Sequence, residues 1–298
     1  MKTIEAELII NAHSRSGKAA IEPVLIACKK HGITLDHIHK LKRGDSLTDV
    51  LAGVTNRNPN LVIVGGGDGT ISDAVDHLAG TDIEVGLIPL GTTNNFARSL
   101  NIPLDIDSAI KTISKNGAHP VDLGNMNDDY FTNVAGIGIS ALVAKNVTNE
   151  RKKRWGRMAY ALTGALELIK HKPFSATIQD KDSELLVNIE THQIIVANGR
   201  YHAGKKIAEG AEVDNRELII FAIGGRNKLS FIWHMIDFYI GKRKSIHHAS
   251  YLIGKSIILK TSTNQQVELD GEVKFTTPAT IQVTPDAIKV RYDKTHAK

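Results

Sequence analysis

The residues of this chain with the clearest chemical potential lie in the run Leu61-Val62-Ile63-Val64-Gly65-Gly66-Gly67-Asp68-Gly69-Thr70. Four apolar residues, three of them β-branched, read as a buried strand, and the glycines that follow have no side chain to pack. They suit a backbone that turns through positive φ and comes close to a ligand, and Thr70 opens a helical run from Ile71 to Leu78. A strand, a glycine-rich turn and a helix N-terminus together present backbone N–H groups to an anion, most often a phosphate. Asp68 stands in the middle of this run. A carboxylate beside a phosphate repels it unless it holds a metal or takes up a proton. The chemistry implied is phosphoryl transfer.

A second loop of small polar residues, Gly91-Thr92-Thr93-Asn94-Asn95, follows the strand-like run Val85–Ile88 and opens another helix. Two anion-facing helix starts on one sheet edge favour a binding role over a plain Asn-capped turn. Asn11-Ala12-His13-Ser14-Arg15-Ser16-Gly17-Lys18 is a third such loop. It is not a P-loop, because no glycine stands five residues before Gly17 and Ala19 replaces the metal-binding Ser/Thr. A nucleotide-contacting loop with Lys18 meeting a phosphate and an ordinary polar loop both remain open. The glycine run also departs from the dinucleotide fingerprint, since Asp68 would face the pyrophosphate. Leu269-Asp270-Gly271-Glu272 reads locally as a hairpin turn. The histidines show no metal-ligand spacing, and His247-His248 reads as solvated surface.

The elements that must position these loops follow from the hydrophobic periodicity. Ala6–Asn11, Leu35–Leu41, Leu61–Val64 and Val85–Ile88 read as strands, and helices to about Lys30 and from the N-cap Ser46 to about Arg57 alternate with them. This alternation predicts a Rossmann-like parallel sheet with helices on both faces, whose loops gather beyond the C-terminal strand ends. After about Asp122 the pattern changes to short alternating runs, the signature of an antiparallel sandwich or barrel. These runs are Tyr130–Val134, Phe174–Ile178, Leu185–Glu190, Gln193–Ala197, Leu218–Ile223, Ser256–Lys260, Gln265–Leu269 and Ala279–Val283. Helices are expected near Ile139–Asn149, Arg157–His171 and Lys228–Tyr239. The expected domains are an α/β domain over 1–122 and a β-rich antiparallel sandwich over 123–285, with 286–298 a candidate return to the first.

At 298 residues, with 42% hydrophobic and 23% charged residues, the chain has the length and composition of a two-domain soluble globular protein. Its lone cysteine, Cys28, excludes an internal disulfide and sits in an apolar run as a packing residue. The start of the chain lacks a signal-peptide core, and no stretch reaches the ~20 apolar residues of a membrane span, so a cytoplasmic location is expected. Two basic segments colour the net charge of +5. One is Arg151-Lys152-Lys153-Arg154-Trp155-Gly156-Arg157, and the other, Lys242-Arg243-Lys244, follows a run (229–240) that is apolar around most of its helical surface. Such a helix is either deep in the core or lies in a membrane interface with lysines on anionic headgroups. No RNA- or DNA-binding motif accompanies the charge, so nucleic acid is not an expected partner. The pattern carries no signal of oligomeric state.

Together these segments resemble the diacylglycerol/sphingosine/YegS-type lipid kinase family over nearly the whole chain. Gly66-Gly67-Asp68-Gly69-Thr70 is similar to the family's glycine motif, which is shared with NAD kinases and phosphofructokinases. Pro89 to Arg98 is similar to its Pro-x-Gly-Thr-x-Asn-(Asp/Asn)-Phe-Ala segment. Asn133-Val134-Ala135-Gly136-Ile137-Gly138, Arg154-Trp155-Gly156, Asn198-Gly199-Arg200-Tyr201 and Asp270-Gly271-Glu272 recur in the family too.

The resemblance implies an NAD-kinase/phosphofructokinase-like nucleotide domain, a β-rich lipid domain and an active site in the cleft between them. ATP would be contacted by Gly66, Gly67, Asp68, Gly69, Thr70, Ile71, Ser72 and Thr92, with Asn11, Lys18, Gly91 and Asn94 in the adjoining loops. Glu272 would be the general base for a lipid hydroxyl, diacylglycerol by default, with sphingoid bases, ceramide or phosphatidylglycerol as alternatives. Asp68 would organise Mg²⁺ and its water, or assist deprotonation. Three positions depart from the family: Asn95 and Ser140, where many relatives carry Asp, and Lys40, where they often carry Thr. A structural Mg²⁺ site of some relatives maps onto Glu212, Asn215 and Glu217, with Asn215 in place of its Asp and Arg216 in place of its Gly. The expected partner is a lipid at the inner face of the membrane, met through 229–244 and 151–157. The other classes are a catalytically silent lipid- or nucleotide-binding regulator and an NAD-kinase-like enzyme with a soluble substrate.

Overall fold

In the computed structural model, residues 4–147, 157–181, 186–208, 212–224, 228–240 and 249–296 are described. The basic segments 151–156 and 242–244 lie outside them. The first part of the chain alternates strand and helix. β1 (Ile4–Asn11), α1 (Arg15–Lys30), β2 (Ile33–Leu41), α2 (Leu47–Arg57), β3 (Leu61–Gly66), α3 (Asp68–Leu78) and β4 (Glu84–Pro89) are followed by the short α4 (Asn95–Ser99) and α5 (Ile106–Lys115). The strands pair in parallel in the order β4-β3-β1-β2. Leu61 to Val64 are all buried, as a strand covered by helices on both faces requires. On one face Val24, Ala27 and Cys28 of α1 and Ile110 and Ile113 of α5 cover Leu8, Ile10 and Ile63. Leu51, Val54, Ile71, Val75 and Leu78 of α2 and α3 cover Ile9, Val62 and Val64 on the other. Burial pushes the Cys28 thiol up to about 11, which suits a packing residue.

The helix starts are set by side-chain caps. Ser14, Ser46 and Asp105 accept from Gly17 N, Asp49 N and Ser108 N, each satisfying an N–H that the helix itself cannot. α3 starts two residues earlier than the sequence suggests, at Asp68, so the reactive-looking carboxylate belongs to the first turn of the helix.

The second part is built from β5 (Ala118–Met126), β6 (Asp129–Phe131), β7 (Val134–Gly138), α6 (Ile139–Asn146), α7 (Arg157–Lys170), β8 (Phe174–Asp180), β9 (Leu186–Ala197), β10 (Tyr201–His202) and β11 (Lys205–Lys206). β12 (Leu218–Gly224), α8 (Lys228–Ile240), β13 (Ala249–Gly254), β14 (Ser256–Thr261), β15 (Gln266–Leu269), β16 (Glu272–Thr276) and β17 (Ala279–Arg291) complete it. These strands pair antiparallel around cores such as Phe131, Ile137, Ile178, Val196 and Ile281. Two expected strands are one: β9 runs straight through Thr191 and His192, because the Thr191 hydroxyl bonds Ile223 O where the pairing with β12 shifts register. β5, β13 and β16 are additional strands. β5 is hidden in the sequence by Pro120 and Gly124, and a Cβ on Gly124 would lie 2.0 Å from the Phe131 ring that fills its place.

β17 binds the two parts together. Its first half pairs antiparallel with β14, and its second half pairs in parallel with β4 through Lys289↔Glu84 and Val290↔Val85. Ile288, Val290 and Tyr292 are thereby buried in the core of the first part. The end of the chain is thus a structural strand of the α/β unit. Ile288→Ala is expected to cost about 2–5 kcal/mol, the range for deleting a fully buried aliphatic side chain. Urea unfolding measures it, and a loss below about 1 kcal/mol would show that the return strand adds little to the core.

Candidate functional site

The three polar loops meet at the C-terminal ends of β1, β3 and β4. Asn11 Nδ2 donates to Thr70 Oγ1 at 2.7 Å, joining the first loop to the glycine run. Ser16 Oγ donates to Leu90 O at 3.3 Å. Gly91 sits so near the glycine run that a Cβ there would lie 2.7 Å from Gly67 Cα. The glycine run itself contains no positive φ, contrary to the sequence expectation. Close approach is what demands glycine: a Cβ on Gly66 would lie 2.6 Å from Thr70 Cβ.

Asp68 is held by the second loop. Its Oδ2 accepts from Thr93 Oγ1 at 2.5 Å and from Asn94 N at 2.8 Å, and its Oδ1 accepts from Asn95 N at 2.5 Å. The Asn94 side chain, buried, folds the same loop by accepting from Gly91 N and donating to Gly91 O. Asn94 is therefore an architectural residue, and its backbone, not its amide, faces Asp68. Asn11 likewise acts by orienting Thr70, and Lys18 and Thr92 are exposed. A carboxylate offers about four acceptor positions, so Asp68 retains one for a further donor.

The hairpin reading of Asp270-Gly271 holds: Leu269 pairs with Glu272 across a two-residue loop whose residues have φ of 47° and 98°. The loop is also a junction between the two parts. Asp270 Oδ2 accepts from Ser72 Oγ (2.8 Å), Thr132 N (2.7 Å) and Thr132 Oγ1 (2.7 Å), and Oδ1 accepts from Asn133 N and Val134 N (both 3.0 Å). Five donors leave this carboxylate no capacity for other work. Glu272, the next acid, is exposed and shares one cleft with Gly69, Ser72, Asp73, Asp76, Tyr130 and Lys274. The structure thus brings Glu272 of the second part to the first turns of α3.

Two acids of this cleft, Asp73 and Asp76, and the nearby His202 carry no motif signal. Asp73 stands one turn after Gly69. The cleft walls withdraw water from one side of it, and Glu272 adds its charge; together they push the Asp73 carboxyl up to about 6, though its outer side is open to solvent. Asp76 accepts from Tyr130 N at 2.7 Å and faces Lys274, which pairs with Asp129 at 2.6 Å. His202 is acted on by both Asp270 and Asp68, yet enclosure by the protein holds its imidazole below the usual range. The Asn95 amide reaches the same hairpin, its Oδ1 accepting from Gly204 N at 2.8 Å.

The segment over Glu212, Asn215 and Glu217 is closed on itself. Asn215 Oδ1 accepts from Glu217 N at 3.3 Å, the Glu212 carboxylate pairs with Arg200 at 3.0 Å, and Arg216 N is bonded to Asp122. Arg216 keeps a positive φ of 59°. Asn215 brings a neutral amide where a carboxylate would serve a hard dication better, and its Oδ1 is already bonded to Glu217 N, so no metal step is assigned there.

Away from the cleft, α8 is neither wholly buried nor wholly free. Phe231 and Phe238 pack inward on His192 and Phe221. Leu229 and Trp233, both 66% exposed, share an outer face with Ile232 and Ile236, at the spacing of one helical stripe. α7 carries a matching stripe of Leu162, Leu166 and Ile169, and Lys228 Nζ donates to Ile169 O where the two helices meet. No described helix is long and apolar enough to cross a membrane.

Comparison with known proteins bears on both parts. The diacylglycerol kinase catalytic domain model matches residues 5–126, and the YegS C-terminal NAD kinase beta sandwich-like domain model matches residues 133–292. A diacylglycerol kinase of Bacillus subtilis is 31% identical over 219 residues, covering 72% of each chain. One from Staphylococcus saprophyticus is 28% identical, covering 86% of this chain and 84% of its own. A solved diacylglycerol kinase structure from Bacillus anthracis superposes with a TM-score of 0.75 over 99% of both chains at 22% identity, which speaks to the fold.

Two measurements check the cleft. Asp270→Asn replaces one oxygen by an N–H₂ group and leaves at least two donors facing it, each costing about 1–3 kcal/mol. Urea unfolding should show that loss, and wild-type stability would contradict the junction. The folded chain holds the Asp73 proton more tightly than an unfolded chain, whose carboxyl titrates at 3.8. Its contribution therefore makes stability fall as pH rises from about 4 to about 6, and it is level above. Asp73→Asn should remove that part of the slope in unfolding curves taken across the window.

Proposed function

This chain belongs to the diacylglycerol kinase catalytic-domain family, and from that membership we propose that it is an ATP-dependent lipid kinase. It passes the γ-phosphate to a lipid hydroxyl, with diacylglycerol the default acceptor. The observation that carries this reading is the shared cleft: Glu272, from the second part, lines the same space as Gly69 and Ser72 at the start of α3. Phosphoryl transfer needs little covalent chemistry from a protein; it needs the donor held, the acceptor placed in line, and a group to receive one proton.

The residues divide these tasks. Backbone N–H groups at the start of α3 bind nucleotide phosphates, with the exposed Thr92 and Lys18 in the adjoining loops. The start of α1 (Ser16, Ala19, Ala20), the 89–94 loop and the 104–106 turn wall an open groove of about 550 Å³, a size that admits a nucleoside. Mg²⁺ entering with the nucleotide supplies neutralisation of phosphate charge, and the remaining acceptor position of Asp68 suits a water of that ion. Glu272 takes the hydroxyl proton as the lipid oxygen bonds to phosphorus and the bond to the leaving nucleoside diphosphate breaks.

The acceptor's delivery follows from the second part. The apolar stripes of α7 and α8 are exposed on neighbouring helices, and such a pair of stripes suits insertion into the interface of a bilayer, with the protein on the inner membrane face. A soluble substrate would give these side chains no occupation.

Transfer of labelled γ-phosphate to a total lipid extract tests the reading. Glu272→Gln should lower turnover by about 10²–10⁴-fold, the worth of a positioned base, with Asp68→Asn also impaired. Full activity in both variants would remove their assigned roles, and no transfer by the wild type to any lipid would favour the silent regulator. Replacing Leu166 and Trp233 together by Ser should weaken flotation with anionic vesicles about tenfold or more. Unchanged flotation would move the membrane contact elsewhere.

A further inference from the structure

Glu268 is the most buried acid near the cleft, 2% exposed, in β15 between the core residues Val267 and Leu269. A carboxyl placed among apolar side chains is costly unless its oxygens are bonded. Here Oε2 accepts from Gly271 N at 2.6 Å, and the other side of the carboxyl meets the Ser140 hydroxyl. Ser140 is itself braced, since Gln193 Nε2 donates to its Oγ at 2.8 Å and Gln193 Oε1 accepts from its backbone N at 2.7 Å. Gly136 of β7 leaves the space for this arrangement: a Cβ there would come within 2.2 Å of both Glu268 Oε1 and Ser140 Oγ.

The consequence lies one residue further on. Asp270 anchors the hairpin loop from its first residue, and Glu268 holds Gly271 from within the second part, so both residues before Glu272 are gripped by carboxylates. Glu272 itself is exposed and begins a strand whose inner neighbours are only partly buried, which leaves the loop to set its direction. On the reading of Glu272 as the proton acceptor, we propose that Glu268 is a positioning residue. Braced by Ser140 and Gln193, it grips the Gly271 N–H and fixes Glu272 at the mouth of the cleft.

The groups around it account for its titration. Ser140 of α6 and Gln193 of β9 are uncharged, and Gly136 has no side chain; among the described residues the charge acting on it is that of Asp270. Burial first, and Asp270 next, push the Glu268 carboxyl up to about 7. As pH falls through that value the acceptor loses its charge, and its hold on Gly271 N–H weakens.

Amide hydrogen exchange of Gly271, read by NMR, is paired with steady-state transfer assays on the full chain. Glu268→Leu should speed Gly271 exchange and lower kcat, each about tenfold or more, with KM for the nucleotide within about twofold. Glu268→Gln, whose amide oxygen can accept from Gly271 N without a charge and whose N–H₂ can donate to Ser140, should lie between wild type and Glu268→Leu in both. It should also lack the wild-type rise in kcat through pH 7. Wild-type exchange and kcat in folded Glu268→Leu would overturn the proposal, as would Glu268→Gln being as damaging as Glu268→Leu. If Glu268→Leu does not fold, Ser140→Ala carries the test, with faster Gly271 exchange in support and unchanged exchange against. Exchange is read without substrate, so a wild type inactive on every lipid would sink the lipid-kinase reading and leave this arm to decide the role of Glu268.

Discussion

The cleft depends on one carboxylate, that of Asp270. It collects Ser72 from the α/β unit and three consecutive residues, Thr132 to Val134, from the β-rich unit. A hydrogen bond to a charged acceptor is worth roughly twice a neutral one, so five on one group hold both walls of the cleft in register. The left-handed backbone of Asp270 and Gly271 makes this geometry available, because a tight hairpin turns the carboxylate back over its own start. Glu272 enters the cleft as the residue that follows this knot.

A second anchored carboxylate, Asp68, does for the polar loops what Asp270 does for the junction. Its bonds to Thr93, Asn94 and Asn95 weld the glycine run to the next loop, so two strand ends present one surface. The acids of the cleft therefore fall into two kinds. Asp68 and Asp270 have their oxygens bonded within the protein, whereas Glu272 and Asp73 are exposed and line the cleft. Motif membership does not separate them; only the count of donors around each oxygen does.

Asn95, Ser140 and Arg216, three of the positions that depart from the family's pattern, are put to use in this structure. Asn95 links the second loop to the β10–β11 hairpin through its amide oxygen. Ser140 lies between Gln193 and Glu268, where an additional carboxylate would face a buried acid at close range. Arg216 retains the left-handed backbone that glycine adopts at low cost, held by Asp122, while its guanidinium pairs with Asp286. None of the three touches the open carboxylates, which is why cleft chemistry and departures coexist.

How much was legible follows from whether the relevant physics is local. Sequence alone determined the strand-loop-helix order of the first unit, the cap at Ser46, the antiparallel character of the second and the Asp-Gly hairpin. Each is set by periodicity or by a bond within a few residues. It also placed the polar loops on one edge, since successive parallel strands share their C-terminal ends. Only the tertiary structure decided that the glycines serve close approach, that Asp68 faces 93–95, and that β9 is one strand. It also decided the surroundings of Asp73, His202 and Glu268, which no motif marks. Most of those properties depend on distant partners, as Thr93 is 25 positions from Asp68 and Asp270 is 198 from Ser72. A side chain's charge and reach are written in the chain; which donors surround it is settled only when distant segments pack.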